Sequence, residues 1–169
     1  MCPAYKRYFK PNAIVFLTFT TKNRNPVFDN PSFVSLALEI LHHVKTIHPF
    51  RMKGYVVMPE HWHLLIHTQD GHFDRIIHSF KRNVSFEFHK QGFCKGAIWQ
   101  ARYYDHVIRD DEDFRNHLDY IHFNPVHHGK TDRTAEYPFS SFHYYMERGW
   151  YQADWGNMIP NHIRNMNLE

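Results

Sequence analysis

The stretch of residues 58–68, MPEHWHLLIHT, carries the pattern that decides the fold. Apolar residues fall on alternate positions, which is typical of a strand with one packed face: Trp62, Leu64 and Ile66. We therefore predict a strand over residues 61–68 whose apolar face packs beneath helices. His61, His63 and His67 then point out of the opposite face, which we expect to be uncovered.

The segments on both sides of this strand complete a regular order of elements. Period-two patterns predict further strands over residues 14–20, 52–58 and 103–108. Helical spacing of apolar residues predicts helices over about 31–47 and 73–90. A third helix, capped by Asp110 or Asp111, is expected to stop at Pro125. The first six elements make a βαββαβ core, which indicates an α+β fold with an antiparallel sheet and its two helices on one face.

The whole chain of 169 residues is expected to be one domain. Its core spans about residues 12–129, and a loop-rich tail with one short helix near residues 141–148 spans about 130–169. Hydrophobic residues make up 43% of the chain, which predicts a globular protein, and no apolar run reaches the roughly 20 residues of a membrane span. Two cysteines, Cys2 and Cys94, in no metal-binding spacing indicate a reduced cytoplasmic setting.

Positive charge is unevenly distributed, although the net charge is only +3. Residues 1–28 contain no acidic side chain, and a second basic cluster between residues 75 and 95 is opposed only by Glu87. Cations interleaved with Tyr and Phe suit a polyanion, because phosphates need positive charge and unpaired bases need stacking surfaces. An ordinary solvated surface of mixed charge is the alternative.

His61 and His63 could share one divalent ion, because side chains at i and i+2 of a strand point the same way. With sixteen histidines in the chain, about one or two such pairs would arise by chance. Two exposed histidines without a ligand are therefore an alternative. A cupin-type metal site is a poor fit, because His67 takes the place of the expected carboxylate and the chain is rich in helix signals.

The segment LDYIHFNPVHHG lies on the last helix of the core. Phe114, Leu118 and Ile121 mark its packed side. Tyr120 and Asn124 lie one turn apart on a flank roughly 90° away, with Asp113 and His117 near them. Half-buried packing is the ordinary role of a tyrosine in this position.

Three segments together resemble one family: VVMPEHWHLLIH, WQARYYDHVIRDDEDFRNHLDYIHFNPVHHG and YPFSSFHYYMERGWYQADWG. They are similar to the REP-associated tyrosine transposases, which are domesticated relatives of small insertion-sequence transposases acting on single-stranded DNA. The likeness runs from about residue 5 to 157. It implies a ferredoxin-like or RRM-like fold and a substrate of DNA hairpins found in repetitive extragenic palindromes.

The resemblance also implies roles for individual residues. His61 and His63 match the paired histidines that hold Mg²⁺ or Mn²⁺ in the HUH nucleases, and Tyr120 matches the single nucleophilic tyrosine. Asn124 stands at the position of a third metal ligand, where many relatives carry Gln. The implied product is a 5′-phosphotyrosine, which another DNA end can attack without ATP.

Six basic residues are expected to line a track for the DNA backbone: Lys6, Arg7, Lys10, Lys81, Arg82 and Arg102. The tail, with Trp150, Tyr151 and Trp155, is expected to pack over the histidine face. We expect a cytoplasmic protein that associates with the nucleoid through DNA and acts as a monomer, with a dimer as the alternative. Two other functions remain open at this point, namely a non-catalytic single-strand-binding module and a metallonuclease that uses water.

Overall fold

The structure is a computed structural model that describes residues 9–166 and residue 168. Its strands and α-helices are β1 (Ala13–Thr20), α1 (Pro31–Ile47), β2 (Arg51–Val57), β3 (His61–Thr68), α2 (Phe73–Lys90), β4 (Tyr104–Val107), α3 (Asp111–His127) and the short α4 (Phe142–Met146). The strands form one sheet in the order β2-β3-β1-β4, with every pair antiparallel. The predicted α+β fold and βαββαβ order are confirmed. Within this part of the chain, no helix is both long and apolar enough to cross a membrane.

The α1 and α2 helices pack on one face of the sheet, as predicted. Trp62, Leu64 and Ile66 of β3 belong to the hydrophobic core on this side. The helices contribute their apolar stripes to it: Val34, Ala37, Leu41 and Val44 from α1, and Ile76, Ile77, Phe80, Val84 and Phe88 from α2. The side chain of Asn30 accepts a hydrogen bond from the Ser32 backbone N–H at 2.9 Å and so caps α1.

The opposite face of the sheet is covered, and the expectation that it is open was wrong. Phe16, Val56 and Leu65 point to this side and form a second core with residues of α3 and the tail. His61 and His63 are both 0% exposed as a result. Apolar side chains on both faces of the central strands require a layer on each side, because exposed apolar surface is unfavourable.

The α3 helix does not stop at Pro125 but continues to His127. Proline lacks a backbone N–H and therefore forfeits one hydrogen bond, here to the carbonyl of Ile121. The loss is small because Pro125 lies in the last turn, where the Asn124 carbonyl still accepts from the His128 N–H at 3.0 Å. Pro125 therefore lies within the last turn of α3, next to Asn124.

Gly54 lets α3 approach the sheet closely. A Cβ atom at this position would lie 2.7 Å from Leu118 Cδ1, which is closer than van der Waals contact permits. We expect Gly54→Ala to lower the free energy of unfolding by about 1–3 kcal/mol, as overpacking does in other cores. Urea unfolding measures this change. In a double-mutant cycle, adding Leu118→Ala should recover part of the loss, and full stability of Gly54→Ala alone would contradict the close packing.

Candidate active site

Two imidazoles meet at the start of β3, on the face covered by α3. His61 and His63 are two residues apart on a central strand, so both side chains point toward α3. Their ring centroids lie 4.9 Å apart, and both rings are fully buried. Burial of two adjacent imidazoles requires polar partners, and the structure provides them from three elements.

Asn124 of α3 lies between the two histidines. Its Oδ1 is 3.0 Å from Nε2 of His61, and its Nδ2 is 3.2 Å from Nε2 of His63. Tyr120, one turn earlier, places its ring 5.3 Å from the His63 ring, centroid to centroid, and is 6% exposed. The structure therefore brings together Tyr120, His61, His63 and Asn124, the four residues singled out for catalysis and metal binding.

The other nitrogen of each imidazole contacts a residue that the sequence analysis did not single out. Nδ1 of His63 lies 2.8 Å from Thr18 Oγ1, and Nδ1 of His61 lies 3.3 Å from Glu60 Oε1. The hydrogen bond with His61 holds the pKa of Glu60 below its ordinary value. Thr18 could not be found from spacing along the chain, because strand register alone places it opposite His63.

Leu168 of the tail lies beside Tyr120. The Leu168 backbone N–H donates to the Tyr120 hydroxyl at 3.4 Å, and the Leu168 carbonyl accepts from Thr18 Oγ1 at 2.7 Å. A cavity of only about 10 Å³ remains beside Tyr120, and its lining includes Asn124, His127, Ile163 and Arg164. The tail was expected to cover this face, but through Trp150, Tyr151 and Trp155 rather than through these later residues.

Tyr151 and Trp155 of the tail also belong to the second core, but the polar contact of Tyr151 is with Asp119 of α3. The Tyr151 hydroxyl donates to Asp119 at 2.6 Å, and the Tyr151 ring packs against Trp155 with centroids 4.6 Å apart. Trp150 is 59% exposed and covers little. The Tyr151 ring also packs against His122, with centroids 5.1 Å apart, and so supports the helix that carries Tyr120.

A second polar cluster, formed by His106, Asp113 and His117, lies near the start of α3. One ligand atom from each residue lies within 4.8 Å of the others, so the group could hold a metal ion. Its carboxylate already has partners: His106 Nε2 is 2.8 Å from Asp113 Oδ2, and Nε of Arg109 donates to the same oxygen at 3.1 Å. Against the effect of burial, these bonds hold the pKa of Asp113 far below its ordinary value.

We expect Asp113→Asn to lower the free energy of unfolding by about 1–3 kcal/mol at pH 7, because a buried carboxylate that accepts hydrogen bonds from His106 and Arg109 is lost. The folded pKa of Asp113 lies below its ordinary value of 3.8, so the contribution is present above about pH 4. It is lost as pH falls toward the folded pKa. Urea unfolding at pH 7 and pH 3 tests both statements. Asp111→Asn, an exposed acid in the same turn, is the control, and an equal effect of the two substitutions would refute the assignment.

Four of the six basic residues expected to bind DNA lie in the described part of the chain. Lys6 and Arg7 lie outside the described residues. Lys10 and Arg102 are exposed, and Arg82 lies on the outer surface of α2. Lys81 donates from Nζ to the Gln100 carbonyl at 2.6 Å. Because α2 packs on the face opposite α3, Lys81 and Arg82 are separated from Tyr120 by the sheet.

His127 and Arg164 line the cavity beside Tyr120, and neither was predicted from the sequence. His127 lies one turn after Asn124 and two turns after Tyr120, so the helical spacing of these three residues contained the signal. Arg164 reaches the same cavity from the tail. The position of Arg164 could not be deduced from the sequence, because no local pattern indicates where the loop-rich tail packs.

Comparison with known proteins places these residues in a family. The family described as "Transposase IS200 like" matches residues 10–124. The REP-associated tyrosine transposase of Escherichia coli (strain K12) is 35% identical over 157 residues, which are 93% of each chain. A candidate REP-associated tyrosine transposase of Haemophilus influenzae (strain ATCC 51907 / DSM 11121 / KW20 / Rd) is 32% identical over 166 residues, 90% of this chain and 92% of the relative.

A solved structure agrees with these likenesses over nearly the full length. The REP-associated tyrosine transposase bound to a REP hairpin superimposes with a TM-score of 0.82 at 30% sequence identity, covering 98% of this chain and 95% of that one. The fold, the sequence identity and the family match all point the same way. The chain belongs to the IS200-like transposases, enzymes that act on DNA, and within them to the REP-associated tyrosine transposases.

Proposed function

We propose that this enzyme cleaves and rejoins single-stranded DNA at the hairpins of repetitive extragenic palindromes, through a covalent bond to Tyr120. The observation that carries the proposal is the meeting of the Tyr120 ring, two imidazoles and one amide in a single buried site. The hairpin substrate is inferred from the similar protein that is bound to a REP hairpin.

His61, His63 and Asn124 fit a divalent cation, Mg²⁺ or Mn²⁺. Asn124 Oδ1 and His61 Nε2, both possible ligand atoms, lie 3.0 Å apart. Adjacent ligands of one octahedral ion are about 3 Å apart when each bond is about 2.1 Å. Two imidazoles and an amide oxygen also form a ligand set that suits Mn²⁺, while Mg²⁺ prefers oxygen ligands.

The chemistry assigns a separate task to each side chain. A bound cation would supply charge that polarises the phosphate and stabilises its developing negative charge. Tyr120 loses its phenolic proton, its oxygen bonds to phosphorus, and the bond from phosphorus to the 3′ oxygen breaks. The departing 3′ oxygen takes up a proton. Because the 5′-phosphotyrosine keeps the energy of the broken bond, another 3′ hydroxyl can attack it and rejoin DNA.

Two cavities on the outer surface of α2 support the proposed binding of DNA by Lys81 and Arg82. Arg75, His78, Arg82 and Phe86 line a cavity of about 510 Å³, and Lys81 and Trp99 line an adjoining one of about 320 Å³. Neither lining includes an acidic side chain. Cations beside an exposed aromatic ring, here that of Phe86, suit a nucleic acid. Since these cavities lie across the sheet from Tyr120, the bound DNA has to extend around an edge of the molecule.

We propose that one copy of the chain suffices for catalysis. Tyr120 already lies against the His63 of its own chain. The tail also covers the outer edge of β2, where the Ser141 N–H donates to the Tyr55 carbonyl at 3.0 Å and Ser140 forms a bridge with Val56. A covered edge strand is protected from pairing with the sheet of another copy.

Shortening the chain to end at residue 158 is expected to speed formation of the DNA adduct about tenfold, which corresponds to removing roughly 1.4 kcal/mol of competing contacts. The reason is that Leu168 bonds to the Tyr120 hydroxyl, and Ile163 and Arg164 line the space beside it. Single-turnover rates on a hairpin substrate measure the change at saturating Mn²⁺, because loss of the Leu168 carbonyl also frees the Thr18 hydroxyl beside His63. Ile163→Asp in the full-length chain should act in the same direction. A slower reaction in both variants would show that the tail helps to form the site.

The proposed function is tested by incubating the protein with a single-stranded REP hairpin and Mn²⁺. The expected result is a protein–DNA adduct that survives denaturing electrophoresis, with DNA attached to the peptide containing Tyr120 by mass spectrometry. A chelator should prevent its formation. Cleavage without an adduct would indicate a hydrolytic nuclease, and salt-sensitive binding without cleavage would indicate a binding module; either result would overturn the proposal.

A further inference from the structure

The partners of the two Nδ1 atoms decide where each site imidazole carries its proton. A neutral imidazole has one N–H, and a hydrogen bond at one nitrogen leaves the lone pair on the other. Nδ1 of His63 contacts Thr18, and Nδ1 of His61 contacts Glu60. Both Nε2 atoms face Asn124.

Thr18 can only accept from His63. A hydroxyl has a single hydrogen to donate, and Thr18 donates its hydrogen to the Leu168 carbonyl at 2.7 Å. The 2.8 Å contact between Thr18 Oγ1 and His63 Nδ1 therefore requires the proton to lie on Nδ1. Thr18 is 3% exposed and His63 is fully buried, so water does not replace this bond easily.

Glu60 imposes the same arrangement on His61. A carboxylate has no hydrogen to donate, so its oxygen accepts from Nδ1–H across 3.3 Å. The Glu60 side chain is 18% exposed, while that of His61 is 0% exposed. Glu60 immediately precedes His61 and lies before the first residue of β3, which places the carboxylate beside the ring.

With Nδ1 protonated, each Nε2 carries its lone pair on the side that faces Asn124. The amide oxygen of Asn124 lies 3.0 Å from Nε2 of His61. A cation bound here would be held by the two Nε2 atoms and this oxygen, while the contacts with Thr18 and Glu60 keep both rings turned toward it.

We propose that Thr18 and Glu60 are positioning residues that keep the Nε2 lone pairs of His63 and His61 directed at the metal. This inference rests on the proposed metal site. Its first consequence, the position of the proton on each imidazole, can be measured in the metal-free protein. Partners of this kind, which hydrogen-bond to a metal-bound histidine, typically contribute about 10–100-fold to metal affinity.

The first test is nitrogen NMR of histidine-labelled, metal-free protein, which distinguishes a protonated ring nitrogen from one with a lone pair. We expect Nδ1–H and a bare Nε2 for both His61 and His63. In Thr18→Val, the His63 proton should move to Nε2, while Thr18→Ser should keep it on Nδ1. A wild-type His63 protonated at Nε2, or an unchanged spectrum in Thr18→Val, would overturn the proposal for Thr18.

The second test is calorimetric titration with Mn²⁺ in the absence of DNA. Thr18→Val and Glu60→Leu should each bind Mn²⁺ about 10–100-fold more weakly than wild type. Thr18→Ser and Glu60→Gln keep an acceptor oxygen and should bind within about threefold of it. Wild-type affinity in both Thr18→Val and Glu60→Leu would refute the positioning role.

The two tests separate this inference from the proposed function. If wild type binds no Mn²⁺, the proposed metal site fails, and the nitrogen signals alone decide the role of Thr18 and Glu60. If Thr18→Val does not fold, the wild-type spectrum and the pair Glu60→Leu and Glu60→Gln still decide it. Mn²⁺ binding with the expected wild-type signals and the expected ranking of variants would support both.

Discussion

Replacing Tyr120 with phenylalanine is expected to abolish the covalent DNA adduct, with a loss of at least about a thousandfold in its rate. The substitution removes the hydroxyl oxygen that would bond to phosphorus and keeps the ring that packs against Phe16 and His63. The fold and the affinity for hairpin DNA should therefore change little. Adduct formation under single-turnover conditions and DNA binding by fluorescence anisotropy separate the two properties.

Tyr144 provides a matched control for this experiment. It is another tyrosine, 54% exposed, and the Arg148 guanidinium lies 3.5 Å from its ring centroid. Tyr144→Phe should form adduct at the wild-type rate. If Tyr120→Phe retains substantial adduct, a different tyrosine is the nucleophile, and peptide mapping of the remaining product would identify it.

The second large effect is expected for His63→Ala. Loss of one of three ligands should weaken Mn²⁺ binding by at least about 100-fold, since even an indirect partner of a ligand contributes about 10–100-fold. Adduct formation should fall with metal occupancy and recover in part at high Mn²⁺ concentration. Calorimetry of the free protein and adduct rates across a Mn²⁺ titration measure both effects.

His67→Ala is the control for a histidine on the same strand. His67 is half-buried at the far end of β3, opposite Ile14 and Arg51 in the strand register, and away from Asn124. Its removal should leave Mn²⁺ affinity unchanged. Equal losses from His63→Ala and His67→Ala would mean that the sheet as a whole, and not a site at residues 61 and 63, binds the metal.

Sequence reasoning predicted the core elements well because each one has a local physical signature. The alternation in residues 61–68 matches β3, and the stripe from Phe73 to Lys90 matches α2. Asn30 before Pro31 marked the start of α1. In each case, the side chains that identify the element lie close together along the chain.

The same reasoning was wrong where the outcome depended on distant segments. Phe16 and Leu65 point to the face of the sheet opposite α1 and α2. The sequence near them does not indicate which segment covers them. Pro125 was expected to end α3, but the packing of the last turn and its C-terminal hydrogen bonds let the helix continue to His127. The segment that covers the histidine face and the last turn of α3 therefore could not be predicted from the local sequence.

The sequence by itself determined that His61 and His63 share a face and that Tyr120 and Asn124 share a helix flank, because strand and helix periods are properties of the backbone. Only the tertiary structure decided that these two faces meet. It also decided that Thr18 lies opposite His63 and that Leu168, 150 residues away from Thr18, returns to bond with it. Such contacts arise from the burial of apolar surface over the whole chain, and no local pattern encodes that total.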